Sequence, residues 1–111
     1  MDDETGSIAK PPVAVLIDTC AVSDKCIKDD DIKARVDAFY IELNNNPSAS
    51  GYIINYGTDK EIARREAQIR KAIAFRKYDS SRITMVRGGN TGVGAVSKFW
   101  LVPAGAENPA P

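Results

Sequence analysis

The chain has 111 residues, of which 43% are hydrophobic, and its fifteen basic and fifteen acidic residues give a formal net charge of zero. This length fits one compact domain with its own hydrophobic core. A neutral chain lacks the field that holds nucleic acid or an anionic membrane surface, so we expect no nucleic-acid partner. No apolar stretch approaches the roughly 18 to 20 residues that a spanning helix needs, so we also expect no membrane-spanning segment.

Two flanking segments are predicted to lie outside the folded domain. The first twelve residues, "MDDETGSIAKPP", have no hydrophobic period and predict a flexible arm, 1–12. They contain neither the basic nor the apolar region of a signal peptide, and we expect that a signal sequence has been removed before them. The Pro-rich ending "AGAENPAP", 104–111, predicts a disordered tail. The domain itself is predicted to span 13–103.

The first half of the domain predicts a strand and a helix. The apolar run "VAVLID", 13–18, is typical of a strand that is buried on both faces. The segment "KDDDIKARVDAFYIELNNNP", 28–47, predicts a helix, because aspartates begin it and its apolar residues recur at helical spacing. The predicted core residues of this helix are Ile32, Val36, Phe39, Tyr40 and Leu43.

The second half predicts a strand, a helix and two further strands. The strands are "GYIINYG" (51–57), "SRITMVRGG" (81–89) and "VSKFWLVP" (96–103), and the helix is "DKEIARREAQIRKAIAFRKY" (59–78). The glycine-rich "GGNTGVG" predicts a hairpin that sets the last strand antiparallel to the one before it. The order β-α-β-α-β-β predicts an α/β (α+β) two-layer sandwich, a mixed four-stranded sheet with two helices on one face. The predicted stripe of the second helix consists of Ile62, Ile69, Ala72, Ile73 and Arg76.

Two cysteines, Cys20 and Cys26, lie in the polar segment "TCAVSDKC". A structural zinc site normally takes four Cys or His ligands, and the chain has no histidine and no third cysteine. The pair forms either a disulfide, which would indicate an oxidising compartment, or two free thiols in a cytosolic protein. We expect the disulfide, which would stabilise the fold by roughly 2 kcal/mol.

The junction between the second strand and the second helix carries several polar residues. Thr58 and Glu61 fit a capping box. Asp59 fits the positive end of a helix, and Arg64 and Arg65 fit a solvent-exposed helix face. The alternative interpretation is a ligand site, because a carboxylate and a guanidinium one to two turns apart can hold the ammonium and carboxylate of a zwitterionic amino acid.

Other polar motifs favour structural roles. The run "KDDD" lacks the alternating oxygen ligands and the glycine of a calcium loop. The segment "GGNTGVG" is followed by a strand, whereas a phosphate-binding loop needs a helix N-terminus behind it. Without histidine, a nucleophile has no evident base, and nothing singles out a pair of carboxylates. We therefore expect no metal, no cofactor, no catalytic residue and no enzyme activity.

Phe99 and Trp100 are adjacent in the last predicted strand, so their side chains point to opposite faces of the sheet. One ring should enter the core while the other lies on the face that the helices leave uncovered. The second ring indicates either a surface for a partner or ordinary partial burial.

Three stretches of the sequence together resemble a known family. They are "KARVDAFYIELNNNPSASGYIINYGTD", "RREAQIRKAI" and "DSSRITMVRGG". They are similar to the C-terminal domain of outer-membrane protein A and its relatives, the OmpA-like peptidoglycan-binding domains. In that family a helix ends near an "NP" turn, a strand ends in Gly-x-Thr-Asp, and an arginine-bearing helix and an "SRI" strand follow. The spacing from Arg65 to Arg82 matches the family, and the resemblance covers about 13–102.

The resemblance implies a non-catalytic domain, periplasmic or outer-membrane associated, that binds peptidoglycan through the diaminopimelate of its stem peptide. Asp59 would receive the ammonium group and Arg65 the carboxylate, with Thr58 in the supporting loop. An envelope protein is a further possible partner. The connection "KEIAR" is shorter than in the family and Tyr56 replaces a glycine, so the chain resembles a divergent branch. The alternative is the same fold as a structural or protein-interaction module that has lost peptidoglycan binding.

Overall fold

The structure, a computed structural model, describes residues 11–111, so most of the predicted N-terminal arm lies outside the described part. The order β-α-β-α-β-β is confirmed for the main elements, with short 3₁₀ turns at Val22–Asp24 and Ser80–Arg82. The main elements are β1 (Val15–Ala21), α1 (Asp29–Asn45), β2 (Ser50–Tyr56), α2 (Asp59–Arg76), β3 (Ile83–Gly89) and β4 (Val96–Val102).

The four described strands form one mixed sheet in the order β1-β4-β2-β3. β4 runs antiparallel to both β1 and β2, and β2 runs parallel to β3. The hairpin predicted for "GGNTGVG" is wrong, because β3 and β4 are not neighbours and this loop carries the chain past β2 to the centre of the sheet. β4 still runs opposite to β3, as predicted. β4 has large side chains on both faces, and a central position in the sheet buries more of them than an edge position would.

β1 lies at one edge of the described sheet, so the prediction of a strand buried on both faces is wrong. Val15 and Leu16 are 47% and 43% exposed. β1 also starts and ends later than predicted, because its ladder with β4 extends to the pair Ala21 and Val96. The later end places Cys20 inside the strand, opposite Ser97.

Both helices pack on one face of the sheet, which confirms the two-layer sandwich. All five predicted core residues of α1 are buried, and the Phe39 ring meets the Phe99 ring edge-on at 5.3 Å. The apolar residues of the predicted α2 stripe are buried too. Arg76 was wrongly placed in that stripe, since it is exposed and pairs with Asp37 at 3.1 Å. Glu66, which the prediction left out, is buried instead.

The remaining described segments are short. No helix within 11–111 combines the length and apolar character required to cross a membrane. After β4 the tail has no helix or strand, but the Ala106 N–H donates to the Pro103 carbonyl at 3.0 Å and so forms a turn.

Trp100 lies half-buried on the face away from the helices, as one of the two adjacent aromatic rings was expected to do.

Candidate functional site

The cysteines form the expected disulfide, which joins the end of β1 to the segment before α1. Cys20 is fully buried and Cys26 is 2% exposed. Between them the chain makes the first 3₁₀ turn, and Lys25 then adopts the left-handed conformation at φ 62°. The Cys26 N–H donates to the Ala21 carbonyl at 3.0 Å. The disulfide loop, Cys20–Cys26, is thus closed by a covalent bond and a backbone hydrogen bond.

Arg65 holds this loop from the inside. Its side chain leaves α2 on the buried side and is 3% exposed. Nη1 donates to the Cys20 carbonyl at 2.9 Å and to Ser97 Oγ at 3.0 Å, and Nη2 donates to the Cys26 carbonyl at 3.0 Å. One guanidinium therefore satisfies the carbonyls at both ends of the disulfide loop and also contacts β4.

The Arg65 contacts continue into a buried polar chain. Ser97 donates from Oγ to Asn55 Oδ1 at 2.5 Å, and both residues are fully buried. Among residues 11–111, no carboxylate forms a salt bridge with Arg65. Loss of solvent lowers the pKa of Arg65, but an arginine with such an ordinarily high pKa stays protonated. The core thus contains a cation that neutral oxygens surround.

The junction before α2 forms the predicted capping box. Glu61 donates its backbone N–H to Thr58 Oγ1 at 3.2 Å, and Thr58 donates its N–H to Glu61 Oε1 at 2.8 Å. Gly57 precedes them at φ 142°, in the region that favours glycine. Thr58 and Asp59 are both exposed. The capping role accounts for Thr58 and Glu61 and leaves the Asp59 carboxylate facing solvent.

The structure does not bring Asp59 and Arg65 together. Six residues of α-helix turn the chain by about 600°, so these two side chains leave α2 about 120° apart. Arg65 points towards the sheet, whereas Asp59 lies on the side of Glu66 and Arg87. On that side the Glu66 carboxylate raises the pKa of Arg87, and the charge of Asp59 adds a smaller increase. The zwitterion clamp that the resemblance implies is therefore not assembled in this conformation.

Arg64 differs from its neighbour in being exposed. It lines two recesses of about 160 and 380 Å³, which also share Ile27 and Gln68. The predicted solvent-exposed helix face is thus correct for Arg64 and wrong for Arg65, which is buried. The spacing of apolar residues does distinguish them, because Arg65 occupies the i+3 position between Ile62 (i) and Ile69 (i+7) on the buried stripe of the helix.

Arg82, the other arginine with the family spacing, is also bound to backbone. Its Nη2 donates to the carbonyls of Leu43, Asn46 and Ala49 at 3.1, 3.2 and 2.7 Å. These carbonyls lie at the end of α1 and in the following turn, where helical partners are missing. Arg65 and Arg82 thus both donate hydrogen bonds to backbone carbonyls, at two different places in the fold.

The described residues offer no centre for metal or thiol chemistry. Within 11–111, no group of three or more His, Cys, Asp or Glu side chains is arranged to hold a metal ion. Both cysteines of the chain are in the disulfide.

The fold and these contacts define a small two-layer α/β sandwich with a disulfide loop clamped by a buried arginine. No protein-family model matches the chain, and no curated protein matches it either.

Proposed function

We propose that this chain is a non-catalytic cell-envelope domain, with the OmpA-like fold that its sequence resembles, which serves as a structural or protein-interaction module. The observation that carries the proposal is the inward orientation of Arg65. Arg65 is 3% exposed, and its guanidinium is bonded to oxygens of its own domain. Arg65 also lines the recess of about 160 Å³ beside Arg64, but its donors are directed to these internal oxygens and not towards Asp59.

The energetics support this choice between the two functions that the resemblance allows. Turning Arg65 outward would remove the guanidinium donors from the carbonyls of Cys20 and Cys26 and from Ser97 Oγ. Each buried acceptor left unsatisfied costs about 1–3 kcal/mol. A carboxylate ligand would have to offset that cost before it gained any affinity.

The proposed compartment is the periplasm or the outer-membrane surface. A buried disulfide that forms part of the folded core supports an oxidising environment. The proposed absence of catalysis rests on the sequence, which has no histidine and no cysteine outside the disulfide.

Peptidoglycan binding through Thr58, Asp59 and Arg65 is the competing proposal. It would require Arg65 to leave its buried position, or another cation to replace it. Arg64 is the exposed candidate on the same helix. The first test therefore changes exposed residues only, because Arg65 variants would also disturb the fold.

The test is co-sedimentation with purified peptidoglycan sacculi, using the full chain with its disulfide intact. We expect the chain to stay in the supernatant under conditions in which an OmpA C-terminal domain pellets. Retention that Asp59→Ala abolishes, in a variant with unchanged circular dichroism, would replace this proposal by peptidoglycan binding at the junction. Retention that survives both Asp59→Ala and Arg64→Ala would also overturn it, in favour of wall binding at another surface.

A further inference from the structure

The outer edge of β3 is open in the described sheet. β3 is the last strand in the order β1-β4-β2-β3, and β2 is its only neighbour among the strands within 11–111. Backbone N–H and C=O groups on its outer side therefore have no ladder partner in that sheet. Such an edge is a template for an added strand.

A recess adjoins this edge, in the space between α2 and β3. Its volume is about 450 Å³, within the range of about 300–1,000 Å³ that ligand pockets occupy. Ile73 of α2 and Ile83 and Met85 of β3 supply apolar lining. Tyr78 adds an aromatic wall, fixed by its stacking on Tyr40 at 4.2 Å. The recess thus offers an apolar floor directly beside a row of backbone donors and acceptors.

The polar lining of the recess favours an anion. Arg70 and Ser80 contribute the charged and hydroxyl groups, and none of the lining residues of the described chain is acidic. Arg70 is exposed, and no carboxylate within 11–111 pairs with it. By contrast, Arg87 further along β3 is paired with Glu66 at 2.9 Å. An uncompensated cation beside an apolar floor matches a ligand that has both an apolar and an acidic group.

We propose that an extended segment of another protein adds to β3 as a further strand, with an apolar side chain in the recess and a nearby carboxylate on Arg70. Strand addition draws affinity from the main chain and specificity from side-chain pockets. A second copy of β3 fits less well, because "ITMVRGG" contains an arginine and no acid. The inference rests on the proposed function in treating the chain as an interaction module.

The first experiment selects binders from a phage library of random ten-residue peptides, using the full disulfide-bonded chain as bait. We expect the selected peptides to share an apolar residue close to an Asp or Glu. The selected peptides, made synthetically, should bind at least about tenfold more weakly to Arg70→Glu, which reverses the charge of the only charged residue that the described part of the chain contributes to the recess lining. They should also weaken with Ala74→Trp, since Ala74 is an exposed residue that lines the recess. Arg64→Glu is the matched control, an equal charge change on the same helix outside the recess, and should leave binding unchanged.

The second measurement locates the peptide by amide chemical shifts in the ¹⁵N-labelled chain. Shifts and new exchange protection should concentrate in Ile83–Gly89. The proposal fails if no peptide is selected, if the selected peptides bind Arg70→Glu as tightly as wild type, or if the shifts centre on the disulfide loop. Concentration-dependent dimerisation that Arg70→Glu abolishes would identify a second copy as the occupant and also refute the proposal. The sacculus test uses the wild-type chain and variants at Asp59 and Arg64, whereas the peptide test uses variants at Arg70 and Ala74, so failure of the proposed function would be seen separately.

Discussion

Arg65 donates to the carbonyl oxygen of Cys20 at 2.9 Å, and this contact ties α2 to the end of β1 inside the core. The same guanidinium reaches the carbonyl of Cys26 at 3.0 Å. The disulfide joins these two cysteines through their side chains, while Arg65 joins them through their backbone. The two linkages act on the same loop, so their contributions to stability should depend on each other.

Arg65→Met should lower the free energy of unfolding by about 3 kcal/mol, because it removes three buried hydrogen bonds from a charged donor. The control is Arg64→Met, the exposed neighbour, which should stay within about 0.5 kcal/mol of wild type. Urea denaturation of the oxidised proteins measures both values. Equal losses from the two substitutions would contradict the clamp.

Replacing both cysteines by alanine should lower the stability by roughly 2 kcal/mol through the greater freedom of the unfolded chain. The opened loop would also hold its carbonyls less firmly against Arg65. Arg65→Met should therefore cost less in the cysteine-free background, with a coupling of about 1 kcal/mol. A double-mutant cycle measured in urea checks this, and strictly additive losses would show that the two linkages are independent.

Tyr40 should make the protein less stable at alkaline pH. Burial, with a smaller contribution from the charge of Asp79, raises the pKa of Tyr40 to about 12. Its hydroxyl donates to the Asp79 carbonyl at 2.8 Å. Since the folded pKa is the higher one, the stabilisation is complete below the unfolded value of about 10 and is lost as the pH rises towards the folded value.

This dependence can be measured by urea unfolding at several pH values between neutrality and strong alkali, with tyrosinate absorbance as a second readout. Tyr40→Phe should make the alkaline loss of stability shallower and remove the last-ionising tyrosine. Tyr52→Phe, a change on the opposite face of the sheet, is the comparison. An unchanged alkaline slope in Tyr40→Phe would disprove the assignment.

Gly88 should tolerate no side chain, because a Cβ there would overlap the Tyr56 ring and lie 2.8 Å from Ile54 Cγ2. Gly88→Ala should cost about 1–3 kcal/mol through overpacking. Adding Tyr56→Ala should relieve the overlap, so the double variant should lose less than the sum of the single changes. Thermal unfolding of wild type, the two single variants and the double variant checks this, and Thr84→Ala, at an exposed site on the same strand, should be nearly neutral in the same measurement.

The sequence predicted features that depend on local pattern. The apolar spacing of α1 identified residues such as Phe39 and Leu43 as core, and Thr58 with Glu61 identified a helix start that the structure confirms. The close pair Cys20 and Cys26 pointed to the disulfide. Each of these signals lies within a few residues of chain, where spacing and residue type determine the geometry.

Features set by distant contacts were harder to predict. The loop "GGNTGVG" has the composition of a hairpin, and its true role depends on β4 finding partners in β1 and β2. Asp59 and Arg65 were joined into a site through the family resemblance, but the helix directs them apart. The recess near Arg70 involves both α2 and β3, so no single stretch of sequence indicates it.

The central place of β4 has a consequence for how the protein folds. β1 pairs with β4 alone in the described sheet, and Val15 meets Leu101 across most of the length of the domain. Contacts between such distant residues slow folding, because a long chain must close before they form. Cys20 lies opposite Ser97 in this ladder. The Cys20 thiol should therefore remain accessible to oxidants until β4 pairs with β1. Disulfide formation and the pairing of these two strands should then occur in competition during folding.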